Sequence, residues 1–252
     1  MRKISRQIAF YAGLLAIWQL VVVLKLWPPY LFPTPRTVFE SLRQGFADHS
    51  FWIGIGVSMK RVAVGYAISC ALGGFLGFAT AYSRFLSETL GRLAMSLQSL
   101  PSICWVPVAI LWFGLTEKAI LFVVVMGSVL AITISVETGL RSIPRIYPMA
   151  GRTLGASGWK LVAYVLLPAS LPHLVTGLKQ GWAFAWHALI TGEMIVITLG
   201  LGQLLMMGRE LVDMSQVFAV MLLIIALGWL VDAIFFRSVE TVLHRRWGFA
   251  KA

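Results

Sequence analysis

The sequence predicts an all-α integral membrane protein with about six spanning helices, and three observations support that class. Hydrophobic residues fill 59% of the 252 positions and charged residues 12%, against roughly 45–50% and about 25% in soluble domains. Six apolar segments lie near residues 8–26, 58–82, 92–113, 118–140, 173–198 and 216–236. Each is long enough, at about 1.5 Å rise per residue, to cross a hydrocarbon layer of roughly 30 Å. None alternates with the two-residue period of a barrel strand. The whole of 1–252 therefore reads as a single transmembrane domain.

The first apolar run follows Arg2, Lys3 and Arg6, the flank of a signal peptide. The run is too long for one, and Lys25-Leu26-Trp27-Pro28-Pro29-Tyr30 offers no small-residue cleavage site, so it is expected to be an uncleaved span. Residues 27–51 form an outer loop rich in proline. Its second half, Thr37 to Phe46, spaces Val38, Leu42 and Phe46 as one face of a short helix expected to lie at the membrane surface. Gly73 and Gly77, and again Gly177 and Gly181, are four residues apart, the spacing at which two membrane helices approach closely. Residues 141–172 form the longest inner loop.

The formal charge is +11. The basic residues sit between apolar runs rather than in a dense stripe with interleaved aromatics, which argues against nucleic acid and for membrane orientation. With both termini inside, the inner segments hold Arg2, Lys3, Arg6, Arg84, Arg92, Arg141, Arg145, Arg152, Lys160, Arg237, Arg245, Arg246 and Lys251. The outer ones hold Lys25, Arg36, Arg43, Lys60, Arg61, Lys118 and Arg209. Thirteen against seven places both termini in the cytoplasm. Cys70 and Cys104 lie inside apolar runs and suit small buried residues better than a disulfide or a thiolate metal site.

Polar groups that interrupt the apolar runs are the candidates for a translocation pathway: Gln98, Ser99, Pro101, Lys179, His187 and Glu193. Glu193, an ionisable group at membrane depth, either lines a watery path or is a paired or solvated carboxylate at the outer end. His187 and Glu193 are six apart and do not stack on one helix face, which disfavours a metal or proton-relay pair. Lys179 either snorkels to the inner interface or faces a cavity where it would attract an anion. Pro101 and Pro107 free backbone groups that are tolerable only beside protein or a cavity, so the third span either lines a path or is a packed, kinked helix. The tryptophans suit interfacial or packing positions.

The inner loop carries the most information. Pro148 suits a first helical turn, Met149 to Leu154 a short helix, and Gly155 a left-handed stop. A second short stretch is expected to end at Pro168, giving a helix–turn–helix on the cytoplasmic face, suited to docking a soluble partner. This loop resembles the EAA loop of permeases of binding-protein-dependent ABC importers. That pattern is Glu-Ala-Ala, three residues, Gly, nine residues, Ile, one residue, Leu-Pro. Here Met149-Ala150-Gly151-Arg152 leads through Leu154 to Gly155-Ala156-Ser157, and Val165-Leu166-Leu167-Pro168 closes it with the same spacing. Met149 stands for the Glu and Gly151 for the second Ala. The likeness runs over roughly residues 55–240. Leu97-Gln98-Ser99-Leu100-Pro101, Leu111-Trp112-Phe113-Gly114 and Gly200-Leu201-Gly202 resemble the nitrate, sulfonate, taurine and bicarbonate branch.

The resemblance implies a type I ABC importer permease fold with a cytoplasmic coupling-helix loop, in a bacterial inner membrane. It implies a second permease copy as a homodimer, two cytoplasmic ATPase subunits that bind ATP and Mg, and an extracytoplasmic substrate-binding protein. No cofactor is expected in this chain, and no G-x-x-x-x-G-K-[ST] loop is present to cradle phosphates. The expected cargo is a small anionic solute, with another small organic solute such as a pyrimidine precursor as the alternative. An intramembrane protease is the distant rival; no G-x-S-x-G elbow surrounds the span serines. A cysteine placed at Ala252 should stay unlabelled by an impermeant thiol reagent in intact cells. Strong labelling there would reverse the assigned orientation.

Overall fold

The computed structural model describes residues 2–28 and 30–246, the backbone alone at 2–4 and 244–246. Pro29, Lys251 and Ala252, used in the outer-loop and orientation readings, lie outside the described residues. Among the described residues the regular structure is helical. The order is α1 (Arg2–Val23), α2 (Pro35–Ala47), α3 (Ser50–Tyr82), α4 (Arg84–Gln98), α5 (Ser102–Phe113), α6 (Glu117–Arg141), α7 (Ile146–Thr153), α8 (Gly158–Ile195), α9 (Leu201–Glu210) and α10 (Met214–Leu243). Five helices, α1, α3, α6, α8 and α10, are long and apolar enough to cross a membrane; there are six if the bent pair α4–α5 forms one span.

Helix α6 is the strut of the bundle. Lipid is as apolar as leucine, so helices associate through van der Waals fit and interhelical hydrogen bonds rather than through hydrophobic burial. Both glycine pairs supply that fit, from opposite partners. A Cβ on Gly73 would come within 2.7 Å of the Val129 carbonyl, and one on Gly77 within 2.6 Å of the Thr133 carbonyl, so α3 lies backbone to backbone on α6. Gly177 faces Ser135, and a Cβ on Gly181 would meet Ile132 at 2.5 Å, seating α8 on α6 in turn. The Ser128 hydroxyl donates to Ser69 Oγ at 2.7 Å, a further α6–α3 tie. Above these contacts Val62, Val106, Ala109, Ile120, Val124, Ala188 and Leu189 close a dry core shared by α3, α5, α6 and α8.

Four expectations need correction. The third apolar run is not one kinked helix: α4 and α5 meet at 105°. Pro101 stands at the break: it has no N–H to continue the helix ladder, and its ψ of 143° is extended. Pro107 breaks nothing, because it sits in the first turn of the following helical segment, where its missing N–H costs no bond. The expected stop at Pro168 is also absent. The chain from Gly158 runs on through Pro168 and Pro172 to Ile195, because a π turn at Val162–Leu166 resets the ladder, with Leu167 N–H bonding the Val162 carbonyl. The inner loop is thus shorter than 141–172.

The third correction concerns α2, which is not simply laid on a membrane surface. Its N-terminus is capped by Thr34, whose Oγ1 accepts from Thr37 N at 3.1 Å, with Pro35 at the first position. Its apolar face is covered by protein: Val38, Leu42 and Phe46 pack with Phe51, Ala219, Val220 and Leu223. Fourth, Arg61, assigned to an outer segment, is a buried residue of α3.

The glycine seams make a direct prediction. Gly77→Val drives a side chain into the α6 backbone and should destabilise the protein by about 1–3 kcal/mol. Gly74→Val, where nothing lies within 4 Å of the added Cβ, should not. Unfolding of both variants in mixed micelles checks this; equal midpoints would show that α3 does not ride on α6.

Candidate functional site

Polar or exposed chemistry among the described residues includes the loop around α7 at one end of the bundle, an ion-pair cluster at the other, a cavity at the α4–α5 break, and a cavity of about 550 Å³ lined by Glu88, Arg92, Glu137 and Arg141.

In the coupling loop, α7 ends in a Schellman turn. Gly155 has φ +83°, Gly155 N–H bonds Arg152 O at 3.0 Å, and Ala156 N–H bonds Gly151 O at 2.9 Å. The left-handed stop read from Gly155 is what the backbone adopts. Gly151 is buried, and a Cβ there would meet Leu161 at 2.7 Å and Val165 at 3.0 Å. The absence of a side chain at 151 thus lets α7 dock on the start of α8. The opposite face is bare: Met149 is 65% exposed and Leu154 87%, with Ile146, Tyr147 and Trp159 exposed beside them. Ala150, Arg152 and Ser157 are exposed and Ala156 and Pro168 half-buried. No acidic residue occurs from Thr138 to Gly192, so Arg145, Arg152 and Lys160 give the bare apolar face a cationic rim.

At the opposite end, Glu193 is 1% exposed and fully engaged. It accepts from Ser58 Oγ at 2.7 Å, from Arg61 Nη1 at 2.9 Å and from Gly202 N–H at 3.1 Å. Arg61 also donates to the Leu199 carbonyl and, through Nη2, to Glu117 at 2.8 Å. Ser58 Oγ accepts Leu201 N–H at 2.9 Å. Gly200 and Gly202 make the cradle: a Cβ on either would lie 2.5–2.6 Å from Glu193 atoms. The buried Arg61–Glu193 pair thus joins α3, α8 and the 196–202 turn, and Arg61 adds α6 through Glu117. Its partners escaped sequence reasoning. The signal was present: Ser58 and Arg61 are three apart on one helix face, and an arginine inside an apolar run needs a counter-charge.

Lys179 is likewise occupied. Its Nζ lies 2.9 Å from Asp232 and 3.6 Å from Glu240, tying α8 to α10. The cavity at the break gathers Gln98, Ser99, Pro101 and His187 with Ser102, Trp105, Gly127 and Phe184, in about 290 Å³. Four of the six pathway candidates therefore share one space. Lys179 and Glu193 do not line it.

The chain matches the model of the binding-protein-dependent transport system inner membrane component family over residues 71–247, and it belongs to that family. It is 27% identical over 236 residues to the taurine transport system permease protein TauC of Escherichia coli (strain K12), covering 92% of this chain and 86% of TauC. It is 31% identical over 220 residues to SsuC of the same organism, a permease named for aliphatic sulfonates transport, covering 87% and 84% of the two chains. It is 28% identical over 209 residues to the nitrate import permease protein NrtB of a Synechocystis strain, covering 79% and 75%. In fold it is similar to a chain of the MetNI methionine ABC transporter, with TM-score 0.61 at 21% identity over 75% of this chain and 96% of that one. The chain is thus a multi-pass ABC importer permease, a membrane component of a transport system.

The ion-pair cluster sets a prediction. Arg61→Met leaves Glu193 charged, buried and unpaired, and should cost about 3–5 kcal/mol. Adding Glu193→Leu should regain most of that loss, since a buried pair exchanged for apolar groups is close to neutral. Thermal unfolding of the single and double variants checks this. An additive double variant would mean that the two side chains are not a unit.

Proposed function

We propose that this chain forms the translocation pathway of an ATP-driven importer for a small anion of the taurine, sulfonate or nitrate kind. The permease acts with a second copy of itself, two cytoplasmic ATPase subunits and an extracytoplasmic binding protein. ATP and Mg are bound by the ATPases, and this chain is not itself an enzyme. The inner loops, and with them both termini, face the cytoplasm of a bacterial cell. The observation that carries the reading is the coupling loop: a short helix ended at Gly155, seated through Gly151 on the start of α8, with its other face bare. Relatives named for taurine, aliphatic sulfonates and nitrate, solutes that each carry an oxyanion group, support the solute class.

The mechanism follows from how α7 is mounted. Because Gly151 packs against Leu161 and Val165, a push on α7 is delivered to the first turns of α8. Helix α8 is continuous from Gly158 to Ile195 and ends at the Glu193 cluster. Closure of the ATPases on ATP would therefore move a rigid rod whose far end holds the outer turn 196–202 and whose flank walls the cavity at the α4–α5 break. With Met149 in place of the family's Glu, the contact to the ATPase is apolar with a cationic rim rather than centred on a carboxylate.

Gly155→Val places a β-branched residue at φ +83°, costing on the order of 1–2 kcal/mol locally. The spans keep their packing, so the protein should reach the membrane yet retain its ATPase poorly and lose solute-stimulated ATP hydrolysis. Co-purification and hydrolysis at wild-type levels would show that this loop is not the coupling element.

A further inference from the structure

The cavity at the α4–α5 break has a chemistry that the coupling loop and the ion-pair cluster lack. Three side chains there have hydrogen-bonding capacity that nothing else in the described chain uses. Gln98 Oε1 is buried without a partner. The Ser102 hydroxyl and the His187 ring make no hydrogen bond or ion pair among the described residues. Ser99, by contrast, donates its proton to the Ser96 carbonyl at 2.7 Å. A buried amide oxygen without a partner is costly unless water or a solute supplies one. Rotation of its terminal torsion lets Gln98 offer either its carbonyl or its two N–H donors.

The cavity is also free of fixed charge. No Asp, Glu, Lys or Arg lines it. The span cations that could have served an anion are neutralised elsewhere: Lys179 by Asp232 and Glu240, Arg61 by Glu193 and Glu117. Its floor exists because Gly127 lets α8 close on α6; a Cβ there would meet Ala188 at 2.7 Å. Its volume of about 290 Å³ lies at the small end of the range for organic ligands, roughly 300–1,000 Å³.

We propose that this cavity is a transit site for a small oxyanion, held by the Gln98 amide, the Ser102 hydroxyl and the His187 ring N–H with no fixed cation. The assignment rests on the permease reading above. Neutral donors suit transit, because a conducting site must bind well enough to admit its solute and weakly enough to release it. A fixed ammonium or guanidinium here would hold an anion more tightly. Trp105 and Phe184 form apolar walls that accept a short alkyl tail without selecting for one.

The test uses the complete transporter in proteoliposomes, with labelled nitrate and labelled taurine as probes. Gln98→Leu removes the amide at similar volume and should lower uptake of the transported probe about tenfold, the worth of one buried hydrogen bond. Gln98→Glu keeps the shape but adds a negative charge and should abolish uptake. Both should retain the ATPase and its basal hydrolysis. Ser102→Ala, which adds neither bulk nor charge, should lower uptake several-fold and carries the test if the Gln98 variants fail to reach the membrane. Wild-type uptake in the variants that assemble overturns the transit site and leaves the permease reading standing. ATP-driven uptake of neither probe by the wild-type transporter overturns both the transit site and the proposed solute class.

Discussion

The structure depends on the close approach of α3 and α8 to α6. In lipid no hydrophobic force draws helices together, so contact distance decides whether they hold. Gly73 and Gly77 on one side and Gly177 and Gly181 on the other bring two backbones against the same strut. Everything functional is referred to it. Its first residue, Glu117, reaches the Arg61–Glu193 cluster, its middle supplies Gly127 to the cavity floor, and the loop carrying α7 follows its last turn.

Charge inside the bundle follows the same economy. Arg61 and Lys179 are each held by two carboxylates, and Glu193 by an arginine, a serine and a backbone amide. These contacts pin α3, α6 and α8 at the end of the bundle away from α7, and α8 to α10 at Lys179. The cavity at the α4–α5 break is lined by no Asp, Glu, Lys or Arg, whereas the larger space between α4 and α6 is lined by Glu88, Arg92, Glu137 and Arg141. Ion pairs tie helix to helix, and neutral polar groups line the cavity at the α4–α5 break.

Much of this was legible in the sequence because it is local. Gly155 as a left-handed stop, the short helix before it and a helix over Thr37 to Phe46 follow from spacing, proline and glycine over a few residues. The glycine pairs announced close packing, though not that both would use α6. What was not legible depends on partners far apart in the chain. Nothing near Glu193 reveals Arg61, which lies 132 positions away, or Lys179 its two acidic partners on α10. The continuity of α8 through Pro168 and Pro172 was also hidden. Proline reads as a stop, and only the π turn before it shows how the ladder is re-registered. The break at Pro101 was visible as an interruption but not as a turn of 105°.

The central claim is that the bare face of α7 is seated on an ATPase, and a photo-crosslinking residue at Leu154 tests it most directly. That side chain is 87% exposed and points away from the contact with α8. In membranes containing the assembled transporter, irradiation should join this position to the ATPase subunit in high yield. A residue placed at buried Val62 should not form that product. Crosslinking from position 154 to lipid alone, with the ATPase present and bound, would contradict the account.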